Sequence, residues 1–205
     1  MHWEILTAKQ NELFPYLKLF RRKFYLVGGT AIALHIGHRR SIDFDLFCKA
    51  GLNKKDIRKK LSQLPFKVIK ISEDTDQIHF IINDIKVTFF EYPFDIEHPQ
   101  LPEQFLSIPS LLSLSSMKAY ALGRRAKWKD YVDLYFIIKD HFSIREISIE
   151  AMKNFGQFYS EKLFREQLAF HKDINYSEPV EYVVDPPSED HIRSLLIDKA
   201  IDLEN

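Results

Sequence analysis

Residues 26–47, LVGGTAIALHIGHRRSIDFDLF, constrain the fold more than any other stretch of this chain. A short apolar run over 24–27 reads as a buried strand and stops at Gly28-Gly29-Thr30. Residues 30–36 then read as a short helix, with Gly37 at the C′ position. Beyond the basic turn, residues 41–47 alternate. Ile42, Phe44 and Leu46 fall on one face of a strand, and Ser41, Asp43 and Asp45 on the other. The ordered set of strand, Gly-Gly-Thr, helix, basic turn and acidic strand points to α/β architecture with one strand face buried.

The polar face of that unit carries its chemistry. Two carboxylates one residue apart on a strand project together, which offers two hard oxygen ligands to Mg²⁺. A Gly-Gly turn opening a helix offers backbone N–H groups and a positive dipole end to phosphate. Thr30 adds a hydroxyl, and Ser41 is placed to orient either Asp. Asp43 and Asp45 are therefore the expected metal ligands, with Gly28, Gly29 and Thr30 at the triphosphate of a nucleotide. A Gly pair or a D-x-D alone is weak evidence; the ordered spacing is specific.

Downstream, Thr7 is expected to cap a first helix reaching residue 20, and Asn53 a basic helix reaching residue 64. Residues 66–72, 77–82 and 85–91 read as strands. Asn83-Asp84 forms a tight turn joining the last two as a hairpin. Residues 92–109 hold four prolines and read mostly as loop. Helices are expected over 110–122, 130–139, 149–159 and 161–170, with a terminal one from about 189. The chain thus reads as an α+β protein, with an α/β domain over 1–105 and an all-α domain over 106–205. A cleft between the two is the default ligand site.

Bulk properties narrow the function. Lys+Arg and Asp+Glu both total 29, so any nucleic-acid contact must be local rather than a basic envelope. A hydrophobic content of 45% is that of a globular chain. The lone Cys48 excludes an intramolecular disulfide and fits a reducing compartment as a buried strand-end thiol. The N-terminus lacks the pattern of a signal peptide, and no apolar run reaches membrane-spanning length. A cytoplasmic location, with no membrane partner, follows as the expectation. His35 and His38 lack the further ligands a zinc site needs. The basic cluster Lys54, Lys55, Arg58, Lys59 and Lys60 is a solvated face or a guide for an RNA backbone.

A second constellation, MKAYALGRRAKWKDYVDLYFIIK, lies at 117–139. Lys118 on a helix and Arg124 in a loop are placed to meet triphosphate charge. Lys129 and Asp133 are four apart and can pair on one helix face. Asp130 sits where an N-cap belongs. Trp128 either stacks on a base or covers the helix start. Tyr131, Leu134, Tyr135 and Ile138 form a stripe expected in the core.

FYLVGGTAIALHIGHRRSIDFDLF resembles the first motif of the nucleotidyltransferase-like AbiEii/AbiGii toxin family: an apolar strand and GGT, a G-H-R-x-S turn and a D-x-D strand. Its spacing also fits the wider polymerase-beta-like nucleotidyltransferase superfamily. Gly37, His38, Arg39 and Ser41 match the turn. Lys118, Arg124, Lys129, Asp130 and Asp133 match the family's helical motif, and FHKDINYSEPVEYVVDPPSEDHIRSLLIDKAIDL resembles its closing segment. The resemblance implies a nucleotidyltransferase-like mixed sheet with flanking helices, followed by a helical half. It implies Mg²⁺-dependent transfer of a nucleotide from an NTP to an acceptor, often tRNA or another RNA, and an antitoxin partner. By that resemblance Asp43, Asp45, Lys118 and Asp133 are catalytic. Gly28, Gly29, Thr30, Arg39, Ser41, Arg124 and Lys129 contact substrate.

One departure stands out. The superfamily often carries a third carboxylate on a strand beside the D-x-D strand, and here that position falls on Thr88. A threonine replaces a carboxylate neither as anionic ligand nor as general base. Alternation puts Glu91 on the opposite face. Either two carboxylates suffice, or another residue such as Asp133 supplies the third acid. Failing both, the domain is a catalytically weakened nucleotide-binding or protein-interaction module.

Overall fold

The computed structural model describes residues 1–49, 51–99, 106–122 and 124–202. Part of the proline-bearing loop, residues 100–105, and Gly123 of the G-R segment lie outside the described residues. The chain divides into two compact units: Met1–Ile36 with Arg40–Ser110, and Gly37–Arg39 with Leu111–Asn205.

The first unit opens with α1 (Ala8–Leu17), where Thr7 and Gln10 form a reciprocal capping box. A 3-10 turn over Lys18–Phe20 completes the first expected helix. Then come β1 (Tyr25–Val27), α2 (Gly28–Ile36), β2 (Phe44–Cys48) and α3 (Lys54–Leu61), the last capped by Asn53. Strands β3 (Val68–Glu73), β4 (Gln77–Ile82) and β5 (Ile85–Glu91) follow. The sheet order is β1-β2-β5-β4-β3, with β2 parallel to β5 and every other pairing antiparallel, so the sheet is mixed. Asn83 and Asp84 both take left-handed φ, 53° and 64°, as the tight β4–β5 hairpin turn requires.

Alternation places Phe44, Leu46, Ile78, Phe80, Val87 and Phe89 in the core. Phe20 packs on Phe89 with ring centroids 4.7 Å apart, which brings the end of the α1 segment onto this face. Ile42, expected beside Phe44, is instead 55% exposed. β2 begins only at Phe44, so Ile42 lies on the approach to the sheet and escapes its pleat.

The second unit is helical: α4 (Leu111–Leu122), α5 (Trp128–Asp140), α6 (Ile144–Phe155), α7 (Glu161–Ala169) and α8 (Glu189–Ile201). α6 starts five residues before the expected 149, because Ser143 and Glu146 form a capping box. α5 starts at Trp128, so Asp130 lies in its first turn rather than at the cap. The stripe of Tyr131, Leu134, Tyr135 and Ile138 is buried. Gly37–Arg39 join this unit through the chain that leads to α8: Val183 N–H donates to the His38 carbonyl, and Arg39 bridges to Tyr182.

Phe89 is fully buried beneath Phe20, Phe24 and Phe80. Phe89→Ala is expected to cost about 3–5 kcal/mol of stability, read from urea unfolding.

Candidate active site

In the first unit, the site is built by the β1–α2 junction facing β2. Val27 pairs with Asp45 across the β1–β2 ladder. The chain then turns into α2 through Gly28, whose φ of +75° is left-handed. A Cβ at Gly28 would lie 2.4 Å from Asp45 Oδ2. Both constraints demand glycine: the backbone conformation and the carboxylate pressed against it. The first turn of α2 thus begins beside Asp45, with N–H groups that lack intrahelical acceptors.

Thr30 is buried, and its hydroxyl donates to the Asp43 carbonyl and, at 3.4 Å, to that of Ser41. The hydroxyl expected at the triphosphate is therefore engaged in holding the approach to β2, which leaves Thr30 its backbone N–H for a ligand. Gln10 braces the same segment, donating from Nε2 to the Ser41 carbonyl at 2.8 Å. Asp43 and Asp45 lie on the half-buried polar edge of this segment, opposite buried Phe44.

Thr88 is the register partner of Asp45 across the parallel β2–β5 pair, and His79 is its partner on β4. The row Val27, Asp45, Thr88, His79 therefore crosses four strands on one sheet face. Thr88 stands beside Asp45, where the third carboxylate was expected. Its hydroxyl lies 3.1 Å from His79 Nδ1. Glu91 is turned away, as alternation predicts, and accepts the Leu52 N–H at 2.7 Å. His79 escaped the sequence reading. Its signal was the Gln77/His79 polar face alternating with buried Ile78, Phe80 and Ile82.

The second-unit residues form a different kind of assembly. Asp133 is completely buried. It receives Arg39 as a fork, Nε to Oδ1 at 2.7 Å and Nη2 to Oδ2 at 2.9 Å. It also meets His38 Nε2 at 2.8 Å and Lys118 Nζ at 2.9 Å. Lys118, itself buried, reaches Asp130 Oδ1 at 2.6 Å, and Arg125 Nε reaches Asp130 Oδ2 at 3.0 Å. The Lys129–Asp133 pairing open in the sequence is not the arrangement found. Asp133 turns inward to Arg39, His38 and Lys118, while Lys129 lies 3.5 Å from Glu178. Trp128 is buried and stacks on Tyr131. Arg124 is exposed, with its guanidinium 3.6 Å over the Tyr120 ring. Arg39 and Lys118, expected at phosphate, are thus bound to carboxylates inside this unit.

Electrostatics follow from that burial. Desolvation opposes the Asp133 charge, but Arg39, Lys118 and His38 outweigh it and hold its pKa well below the usual carboxylate value. For His38, desolvation prevails over the pull of Asp133 and lowers the pKa, favouring neutral imidazole. Its Nδ1 is buried without a hydrogen-bond partner. The unfolded chain therefore takes up protons at His38 before the folded chain does, and stability falls as pH drops below about 6.5. Loss of the Asp133 charge adds to the fall only below about pH 4. His38→Gln is expected to flatten the decline of the thermal midpoint between pH 7 and 5, with His79 and His171, also lowered, contributing the remainder. Asp133→Ala is expected to destabilise by about 3–5 kcal/mol, because it strands buried cations; chemical unfolding measures it.

Among the described residues no group of three or more His, Cys, Asp or Glu side chains is arranged to enclose a metal ion. The two-carboxylate edge still fits Mg²⁺, which is commonly held by one or two carboxylates with substrate phosphates completing its shell. Among the described residues no helix is long and apolar enough to cross a membrane.

Residues 16–110 match the family described as nucleotidyl transferase AbiEii toxin, Type IV TA system. An uncharacterised protein of Aquifex aeolicus (strain VF5) is 31% identical over 137 residues, 64% of this chain and 66% of that protein. The alignment therefore spans just under two thirds of that relative. MenT4, a nucleotidyltransferase toxin from Mycobacterium tuberculosis H37Rv, superposes with a TM-score of 0.64 at 14% identity, covering 94% of this chain and 82% of that one. JHP933 from Helicobacter pylori gives 0.55 at 16% identity, covering 91% and 86%. These two likenesses show a shared nucleotidyltransferase-like fold. The chain is thus similar to the AbiEii nucleotidyl transferase toxin family over its motif-bearing region, residues 16–110, just under half of its length.

Proposed function

We propose that this protein is a Mg²⁺-dependent nucleotidyltransferase that moves a nucleotide from an NTP to an RNA acceptor, tRNA being the first to test. It would act in the cytoplasm as the toxin of a toxin–antitoxin pair. The observation that carries the reading is Gly28, which the Asp45 carboxylate keeps without a side chain at the start of α2. A helix N-terminus able to bind phosphate and a carboxylate able to bind metal thereby share one corner.

In this reading Asp43 and Asp45 hold Mg²⁺, which when bound neutralises charge on the triphosphate. The backbone of Gly28, Gly29 and Thr30 receives phosphate oxygens. Ser41 and the Thr30 hydroxyl set the path of the segment bearing both carboxylates. The acceptor hydroxyl attacks the α-phosphorus, its oxygen forms the new P–O bond, and pyrophosphate leaves with the electrons of the broken bond. Asp133, itself paired with Lys118, contributes by holding Arg39 and His38, in the short segment that precedes Ser41–Asp45 in sequence. Exposed Arg124, and Lys129 beside Glu178, are assigned to acceptor phosphates.

The test is transfer from an α-labelled NTP to cellular RNA. Asp45→Asn is expected to lower transfer about a hundredfold or more, since each 1.36 kcal/mol of lost charge stabilisation is tenfold. If no NTP and no RNA gives label above Asp45→Asn, the enzyme reading fails. Thr88 favours a second reading, a nucleotide-binding module without efficient transfer. Calorimetry showing Mg²⁺-dependent NTP binding with no turnover would select it.

A further inference from the structure

The row that places Thr88 beside Asp45 continues one strand further, to His79. Thr88 is buried, and His79 is half-buried. His79 Nε2 lies 3.2 Å from Gln77 Oε1, and Nδ1 lies 3.1 Å from Thr88 Oγ1. A carboxamide oxygen only accepts, so Nε2 carries the proton and donates to Gln77. Nδ1 is then the acceptor, and Thr88 donates its hydroxyl proton to it. That leaves the lone pairs of Thr88 Oγ1 for an incoming donor, in the register position next to Asp45. A carboxylate there would serve as a proton acceptor; a threonine alone would not. A threonine whose proton is already directed at a neutral imidazole can.

We propose that Thr88 and His79 together take up the proton of the acceptor hydroxyl, replacing the third carboxylate. This rests on the nucleotidyl-transfer reading above. The acceptor O–H gives its proton to Thr88 Oγ1 while the Thr88 proton passes to His79 Nδ1. The freed oxygen pair forms the bond to the α-phosphorus, the bond to the bridging oxygen of pyrophosphate breaks, and the imidazolium later releases its proton to water. Thr88 touches the acceptor; His79 acts through it. The charged groups bearing on His79 are Lys86 on β5, Asp45 on β2 and Asp74 between β3 and β4, with uncharged Ser72 as its register partner on β3.

The experiment compares wild type, His79→Asn, Thr88→Val, Thr88→Ser, Thr88→Asp and the double variant Thr88→Asp/His79→Asn, each checked for a cooperative thermal transition. His79→Asn and Thr88→Val are expected to lower kcat about a hundredfold, the usual scale of general-base removal, with KM for NTP and Mg²⁺-dependent NTP binding within about twofold of wild type. Thr88→Ser keeps the rate. Thr88→Asp moves the acid limb of the kcat–pH profile down toward about pH 4, and adding His79→Asn to it costs little. Independently of turnover, the imidazole nitrogen resonances of His79 shift in Thr88→Val. Wild-type kcat and pH profile in His79→Asn or in Thr88→Val overturn the relay and leave the transferase reading standing. Absence of transfer in wild type overturns both. If His79→Asn fails to fold, Thr88→Val, nearly isosteric, decides alone.

Discussion

The Asp45 carboxylate occupies the space that any side chain at position 28 would fill. This contact fixes three features together. It holds the β1–α2 junction against β2, requires glycine in a left-handed conformation, and brings the opening turn of α2 beside an acidic side chain. The adjacent tie, from the Thr30 hydroxyl to the Asp43 carbonyl, fixes the approach to the same strand. The helix start and the acidic segment are therefore held together by packing and by hydrogen bonds through main-chain carbonyls. The backbone geometry of the corner needs no ligand to be defined.

The buried polar cluster around Asp133 solves a different problem. A carboxylate removed from water is unfavourable unless its oxygens are filled by donors. Asp133 meets that demand with Arg39 in a fork, His38 and Lys118. Asp130 in turn serves Lys118 and Arg125. Polar matching of this kind specifies partners where apolar packing would tolerate substitutes. Only a planar guanidinium at position 39 supplies two parallel donors to one carboxylate. Gly37–Arg39 thereby belong structurally with α4 and α5, although the sequence places them between α2 and β2.

The sequence made the first-unit elements legible because each carries local chemistry. Thr7, Asn53 and Asn83-Asp84 mark caps and a turn whose geometry their side chains or backbones favour, and Phe44/Leu46 alternate with Asp43/Asp45. What was not legible depends on long-range direction. Lys118 reads as an available cation until α5 brings Asp130 and Asp133 against it. Lys129 and Asp133 satisfy the i,i+4 rule, yet the rule is silent on which side of the helix faces the core. The Thr88 row was half legible: spacing located the missing acid, but pairing β5 with β4 was needed to bring in His79. The early start of α6 is the reverse case: the Ser143/Glu146 capping box that sets it is local in sequence.

Charge at the Asp45 row sets what chemistry the site can support. A third carboxylate would add one more anion to the edge formed by Asp43 and Asp45. Thr88 adds none, and the neutral His79 behind it adds none. On the proposed function, a site with fewer fixed anions would attract a free divalent cation less and rely more on phosphate oxygens arriving with a nucleotide. On the proposed nucleotidyl-transfer reading it would also repel an incoming triphosphate less, beside a helix start whose dipole and backbone N–H groups suit phosphate oxygens. On that reading, a Thr–His pair in place of an acid would shift charge balance from protein to substrate. The row keeps an imidazole, His79, hydrogen-bonded to Thr88.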